Sequence, residues 1–297
     1  MTGALTAGVV TFRRELRTIV RTPGYLLLVL GLFAVVFGVL VVGGGGETGF
    51  IPAIVDLLVP TELLVPVLAV IFGYRALLTD TKSGEYAVVR TYPIGVGSYV
   101  AGVVIARMMA FLAIVTVVYG AGGVYVWMTA APDTGIYATH AGVDSPLVFV
   151  RFLVFVLALG VTYLLLAVAV STIANSRRGA MALGALVVIV GTAAELGIVA
   201  ALAAGTVAVD SVAATLALTP NSAFRGLVFE YVVGVAFRGE MAGFVASRAA
   251  LAGLAGWNAI GLACSVLTLR YGRQISDAIE RVRWRSGTRP TSDDKTT

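Results

Sequence analysis

Two glutamates stand where carboxylates are costly. Glu62 interrupts the run "DLLVPTELLVPVLAVIFGY" and Glu195 interrupts "GALVVIVGTAAELGIVAALAAG". At the helical rise, Glu62 lies about 18 Å back from Tyr74 and Glu195 about 21 Å on from Met181. Carboxylates inside apolar helices face a bundle interior or an aqueous cavity and are functional candidates for that reason. Pro60 and Pro66 bracket Glu62. Each removes a helical donor and so frees a carbonyl that a lined cavity could satisfy. The competing account makes both glutamates boundary residues hydrated from one side. Arg107 lies about 12 Å into its own apolar run. To meet Glu195 it would have to reach the wrong way by about 9 Å, so snorkelling to the headgroups is the preferred expectation.

Other chemistries find little support. The only histidine is His140 and the only cysteine is Cys264, which excludes an H-E-x-x-H zinc site and any intramolecular disulfide. His140, in "IYATHAGVDSP", has no G-x-S-x-G elbow to serve. Met108, Met109, Met128 and Cys264 suggest a soft-metal relay, but methionine in an apolar helix is more often packing; no metal site is expected. No G-x-x-x-x-G-K-[ST] phosphate loop exists, because the only lysines are Lys82 and Lys295 and neither follows the required glycines. The glycines of "VVGGGGETG" lack a lysine altogether.

The elements that position these residues follow from hydropathy. Apolar residues are 59% of the 297-residue chain and charged ones 12%, with a mean hydropathy of +0.96. A soluble domain carries about 45–50% and 25%. A membrane span needs about 20 apolar residues. Six runs qualify: 25–42, 55–74, 99–127, 147–174, 181–204 and 248–269. The region 207–236 is apolar but broken by Asp210, Pro220, Asn221, Arg225 and Glu230, and a charge at mid-membrane costs about 2.5–3.5 kcal/mol. It is not expected to cross. The fold class is therefore all-α integral membrane with six transmembrane helices. The arginine-rich first twenty-four residues and the long first apolar run argue against a cleaved signal peptide.

Orientation follows from the basic residues. With the N-terminus inside, segments 1–24, 75–98, 175–180 and 270–297 are cytosolic and hold sixteen of the twenty-one Lys and Arg. The outer loops 43–54 and 128–146 hold none. The positive-inside rule selects this arrangement, with both termini cytosolic, and gives no reason to expect nucleic acid as a partner. In "VVTFRRELRTIVRTPGY", Val9, Phe12, Leu16, Ile19 and Val20 recur at helical spacing, with Arg13, Arg14, Arg17 and Arg21 elsewhere. The spacing predicts an amphipathic interfacial helix over 1–24, its arginines toward headgroups and its apolar stripe in the acyl boundary. The stretch after 270 predicts a short basic helix and a polar tail, 271–297.

The segment "FGYRALLTDTKSGEYAVVRTYPIGVGSYVAG" gathers Arg75, Asp80, Lys82, Glu85 and Arg90 between two spans. A connector between antiparallel helices needs about 2–8 residues, and 75–98 is far longer. A short helix from Ser83 to Arg90 is expected, with Thr81 or Ser83 as its cap and Pro93 as its stop. Mixed charge on such a helix suits docking to a soluble partner.

These stretches together resemble the ABC-2 family of ABC-transporter permeases. The resemblance rests on "FRRELRTIVRTPGYLLLVL", on Asp80, Gly84, Glu85 and Pro93 of the charged segment, on "STIANSRRGAMALG" and on "LALTPNSAFRGLVFEYV", and covers residues 9–270. It implies a cytosolic coupling helix between spans two and three, carrying Asp80, Thr81, Lys82, Ser83, Gly84, Glu85, Tyr86 and Arg90. A second cytosolic contact would hold Arg177 and Arg178. Re-entrant outer helices would lie between spans five and six, with Pro220, Asn221, Phe224 and Arg225 at an outer gate. Spans two and five would line the path, so that Glu62 and Glu195 bind cationic cargo or gate it. It implies no cofactor on this chain, with ATP and Mg held by cytosolic ABC ATPase subunits, and a second permease copy or a relative as partner in the cytoplasmic membrane. The "LTPNSAFR" segment looks most like the permease of nitrous-oxide-reductase maturation systems, which would imply a role at that enzyme's copper site. An ATP-independent carrier, or a membrane anchor or assembly factor, is the alternative with the same topology.

Overall fold

The structure, a computed structural model, describes residues 2–82, 95–130, 144–206, 209–234 and 246–285. Among them every regular element is helical: α1 (Thr2–Arg21), α2 (Pro23–Val42), α3 (Gly45–Thr48), α4 (Phe50–Gly73), α5 (Leu78–Lys82), α6 (Val96–Thr129), α7 (Pro146–Ile173), α8 (Arg177–Ala203), α9 (Val209–Leu216), α10 (Pro220–Val228), a π-helical turn (Phe229–Val233) and α11 (Ser247–Arg285). Six of these helices, α2, α4, α6, α7, α8 and α11, are long and apolar enough to cross a membrane, as in a multi-pass membrane protein. The expected spans and the helices agree to within about five residues, except that α11 runs on to Arg285. Ile275, Ile279 and Val282 keep helical spacing there, and no proline interrupts the chain before Pro290. The separate short basic helix expected after residue 270 is thus a continuation of the last span.

Three helices form the centre. About half of the apolar windows of α4 (56%), α6 (50%) and α7 (56%) is buried within the chain, against 17% for α2, 6% for α8 and 22% for α11. The α4, α6 and α7 helices enclose Phe111, Tyr119, Phe152, Leu159 and Tyr163, all fully buried. Small residues let the backbones close up where no hydrophobic force separates protein from lipid. A Cβ on Gly73 would collide with Ala167, and one on Gly261 would sit 2.9 Å from the Leu165 backbone. These contacts draw α4 and α11 onto α7 from two sides.

Ends of the helices are tied by side chains. Asp144, just before α7, accepts hydrogen bonds from the backbone N–H groups of Phe50 (2.9 Å) and Ile51 (3.0 Å), the first two donors of α4. Those donors have no intrahelical acceptor, and the carboxylate supplies one across 94 residues of chain. Burial pushes the Asp144 carboxyl above the ordinary carboxylate range, opposed by the two backbone donors. At the opposite ends, Ser171 on α7 accepts from Leu77 N–H (3.2 Å), and Ser176 caps α8 through Gly179 N–H (3.0 Å).

The α1 helix has a protein-facing side. It packs along α6, with Glu15 and Ile19 buried while Val9 and Val10 are exposed. Ile19 of the expected apolar stripe meets the bundle, and Glu15 beside it finds a buried charged partner on α6.

Candidate functional site

Two clusters of charge lie inside the bundle. The first is built on α4. Pro66 has no N–H, so the Glu62 carbonyl, four residues earlier, loses its helical donor. Asn221, in the first turn of α10, supplies one: its side-chain amide donates to Glu62 O at 3.3 Å. The Asn221 oxygen in turn accepts from the Tyr163 hydroxyl at 2.7 Å. Thus the proline that weakens α4 creates the acceptor that holds α10, and Tyr163 of α7 fixes the amide.

One turn further along α10, Arg225 reaches the Glu62 carboxylate with two nitrogens. Its Nε donates to Oε1 at 2.7 Å and its Nη2 to Oε2. Its Nη1 donates to Glu195 Oε1 at 2.7 Å. A bidentate fork plus a third bond is an arrangement lysine could not reproduce. The Glu62 side chain is 7% exposed, Glu195 22% and Arg225 36%. Two carboxylates meet one guanidinium, so the cluster carries a formal charge of −1. The structure brings four sequence-selected residues together here: Glu62, Glu195, Asn221 and Arg225. Phe224 and Pro220 are buried beside them.

The depth of this cluster follows from α7. Tyr163 is seventeen residues past Pro146, about 25 Å along the axis, whereas Arg151 is about 8 Å along it. Asn221 meets the first, and the carbonyl of Tyr231 accepts from Arg151 Nη1 at 3.4 Å. Nine residues of α10 therefore begin deep in the bundle and return toward the end where α7 starts. They are buried on most sides.

The second cluster joins α1, α5 and α6. Arg107 Nη2 donates to Glu15 at 3.0 Å and its Nη1 to the Phe72 carbonyl at 2.6 Å. Arg107 does point toward the end of the bundle where α6 begins, but it stops at a protein carboxylate and is only 8% exposed. Snorkelling to headgroups is thereby corrected: the Arg107 guanidinium is buried against the Glu15 carboxylate instead. Arg14 bridges Glu15 (3.2 Å) and Asp80 (2.6 Å), and the Tyr99 hydroxyl also donates to Asp80. Among the described residues, two arginines here stand against two carboxylates.

Asp80 and Tyr99 flank the segment 83–94. Ser83, Gly84, Glu85, Tyr86, Arg90 and Pro93 lie outside the described residues, as does His140. Thr81 is helical within α5, and its hydroxyl donates back to the Leu77 (3.0 Å) and Leu78 (2.9 Å) carbonyls. The helix that Thr81 or Ser83 was expected to cap lies outside the described residues. Lys82, Arg177 and Arg178 are exposed, the latter two in the first turn of α8.

Sequence reasoning did not single out Glu15, Tyr99 or Tyr163. Glu15 is the lone acid in an arginine-rich helix, and that isolation is the one signal that could have marked it. Among the described residues no group of three His, Cys, Asp or Glu could hold a metal. Met108 and Met128 are about 30 Å apart along α6, too far to share one ion.

Replacing Asn221 by leucine is expected to orphan both Glu62 O and the Tyr163 hydroxyl. Each buried polar group left unpaired costs about 1–3 kcal/mol, at the low end inside membranes. The purified variant should unfold at a clearly lower temperature than wild type; an unchanged midpoint would show that Asn221 does not hold α10.

Compared with protein-family models and with curated proteins, the chain matches none of either.

Proposed function

We propose that this chain is the transmembrane subunit of an ABC transporter of the ABC-2 type, with ATP and Mg bound by separate cytosolic ATPase subunits. One observation carries the reading. The two flanks of segment 83–94 are bound to each other and to α1, through Asp80, Tyr99 and Arg14. A force applied to that segment by a docked ATPase reaches α1, α4 and α6 directly. The segment is then the coupling helix, with Arg177 and Arg178 as a second contact on the same side.

The other parts fit the same account. The α1 helix precedes the first span at the cytosolic face, and both termini are cytosolic under the positive-inside rule. The α10 helix is a re-entrant element from the outer side, and Glu62, Arg225 and Glu195 form its latch. With two carboxylates against one guanidinium, the latch favours cations over anions, and a cationic cargo would compete with Arg225 for Glu62. The chain works as one of two permease copies in the cytoplasmic membrane. A place in nitrous-oxide-reductase copper-site maturation is the most specific form of this proposal and rests on the "LTPNSAFR" resemblance alone.

The test is co-purification. The detergent-solubilised chain is co-expressed with its candidate cassette ATPase, as wild type and as Gly84→Pro/Glu85→Arg. Wild type should retain the ATPase, and the double variant should lose it while still inserting in the membrane. Failure of wild type to retain any ATPase would favour a carrier or a membrane anchor.

A further inference from the structure

The outward face of α1 holds a groove of about 380 Å³ lined by Val10, Arg13, Arg14, Arg17, Thr18 and Arg21. Arg13, Arg17 and Arg21 are exposed and make no ion pair among the described residues. Four-residue spacing sets them about 6 Å apart along one face, close enough for two guanidinium forks to share one phosphate. The inner face of the same helix is fixed by Glu15 and Ile19 against the bundle, so this row of charge cannot turn inward to find a partner.

What lies next to the groove decides the kind of anion. The first span begins at Pro23, two residues after Arg21, and its opening residues Leu26, Leu27 and Leu30 are 61%, 71% and 55% exposed. A ligand with a phosphate and acyl chains satisfies both surfaces at once; a free phosphate satisfies only the arginines. We infer that this groove is a binding site for one anionic phospholipid, its phosphate on Arg13, Arg17 and Arg21 and its chains along the start of α2. The inference is independent of ATPase coupling. It has a consequence for the network beneath, because Arg14 both lines the groove and pairs with Asp80.

The test uses the full chain in an uncharged detergent, titrated with dioctanoyl phosphatidylglycerol and read by native mass spectrometry. Phosphatidylglycerol should bind saturably, about tenfold or more tighter than dioctanoyl phosphatidylcholine. Basic residues near a membrane surface contribute about fivefold each to anionic-lipid binding. The variant Arg13→Gln/Arg17→Gln/Arg21→Gln should therefore weaken binding by about a hundredfold, with its lipid-free unfolding midpoint unchanged because these side chains are exposed. Arg17→Lys, which keeps the charge and loses the fork, should weaken it only a few-fold. Equal binding of phosphatidylcholine, or undiminished phosphatidylglycerol binding by the triple variant, would overturn the site. Displacement of the lipid by equimolar inorganic phosphate would assign the groove to free anions and overturn it likewise.

Discussion

Arg225→Met is expected to destabilise the chain by about 3–5 kcal/mol, the usual cost of removing one partner from a buried ion pair. The arginine itself is 36% exposed, and solvent screening of its own charge tempers the figure toward the lower end. The larger share of the cost falls on Glu62, whose side chain is 7% exposed and would keep a charge with no counter-ion. Adding Glu62→Gln to Arg225→Met should recover a substantial part of the loss, because the uncompensated charge disappears. Arg225→Lys should rank between wild type and Arg225→Met, since it retains the charge without the fork. Thermal unfolding of wild type, Arg225→Met, Glu62→Gln and the double variant closes a double-mutant cycle, with Arg225→Lys measured beside it. Equal midpoints for wild type and Arg225→Met would show that the three residues do not clamp α4, α8 and α10 together.

Glu15→Gln should release α1. Arg107 is left without its carboxylate while only 9% of its side chain is exposed, and its Nε already lacks a partner. Arg14 loses one of its acceptors in the same substitution. A cost of about 3 kcal/mol raises the population of the opened helix by about a hundredfold. Trypsin reports that population directly, because Arg13, Arg17 and Arg21 lie on α1 and cleavage follows opening when closing is fast. The tryptic cut within α1 should therefore speed up by one to two orders of magnitude while cuts elsewhere keep their rate. Unchanged cleavage would mean that packing by Ile19 and its neighbours, rather than the Glu15–Arg107 pair, holds the helix.

The six long apolar helices were legible in the sequence because each is long, apolar and bounded by charge or glycine. The break at α10 was legible too, from Asp210, Pro220, Asn221 and Arg225 within a region otherwise apolar enough to continue. Equal depth of Glu62 and Glu195 followed from the helical rise alone, and the geometry places both on one guanidinium. Their partner was not legible. Arg225 is 163 residues from Glu62, and periodicity carries no information about which of several helices a distant arginine will face. The same holds for Glu15 and Arg107, 92 residues apart. With Glu195 as the one carboxylate weighed for Arg107 and set about 9 Å the wrong way, the headgroups were its expected destination. The α1 stripe divides for a related reason: an apolar stripe reads the same in sequence whether another helix covers it, as at Ile19, or leaves it exposed, as at Val9.

The freed carbonyl at Glu62 is an intermediate case. Pro66 identifies in advance the acceptor that needs a donor, but only the fold shows that Asn221 provides it. Sequence thus located the unsatisfied group, and topology chose its partner.

The most direct measurement of the transport account is a site-specific photo-crosslink from position 85 in intact cells, with the captured peptide identified by mass spectrometry. The proposed coupling helix predicts a crosslink to a peptide of a cytosolic ATP-binding-cassette subunit, and its loss in Gly84→Pro. A crosslink from position 85 to an extracytoplasmic protein would place the segment on the opposite side of the membrane and contradict the account.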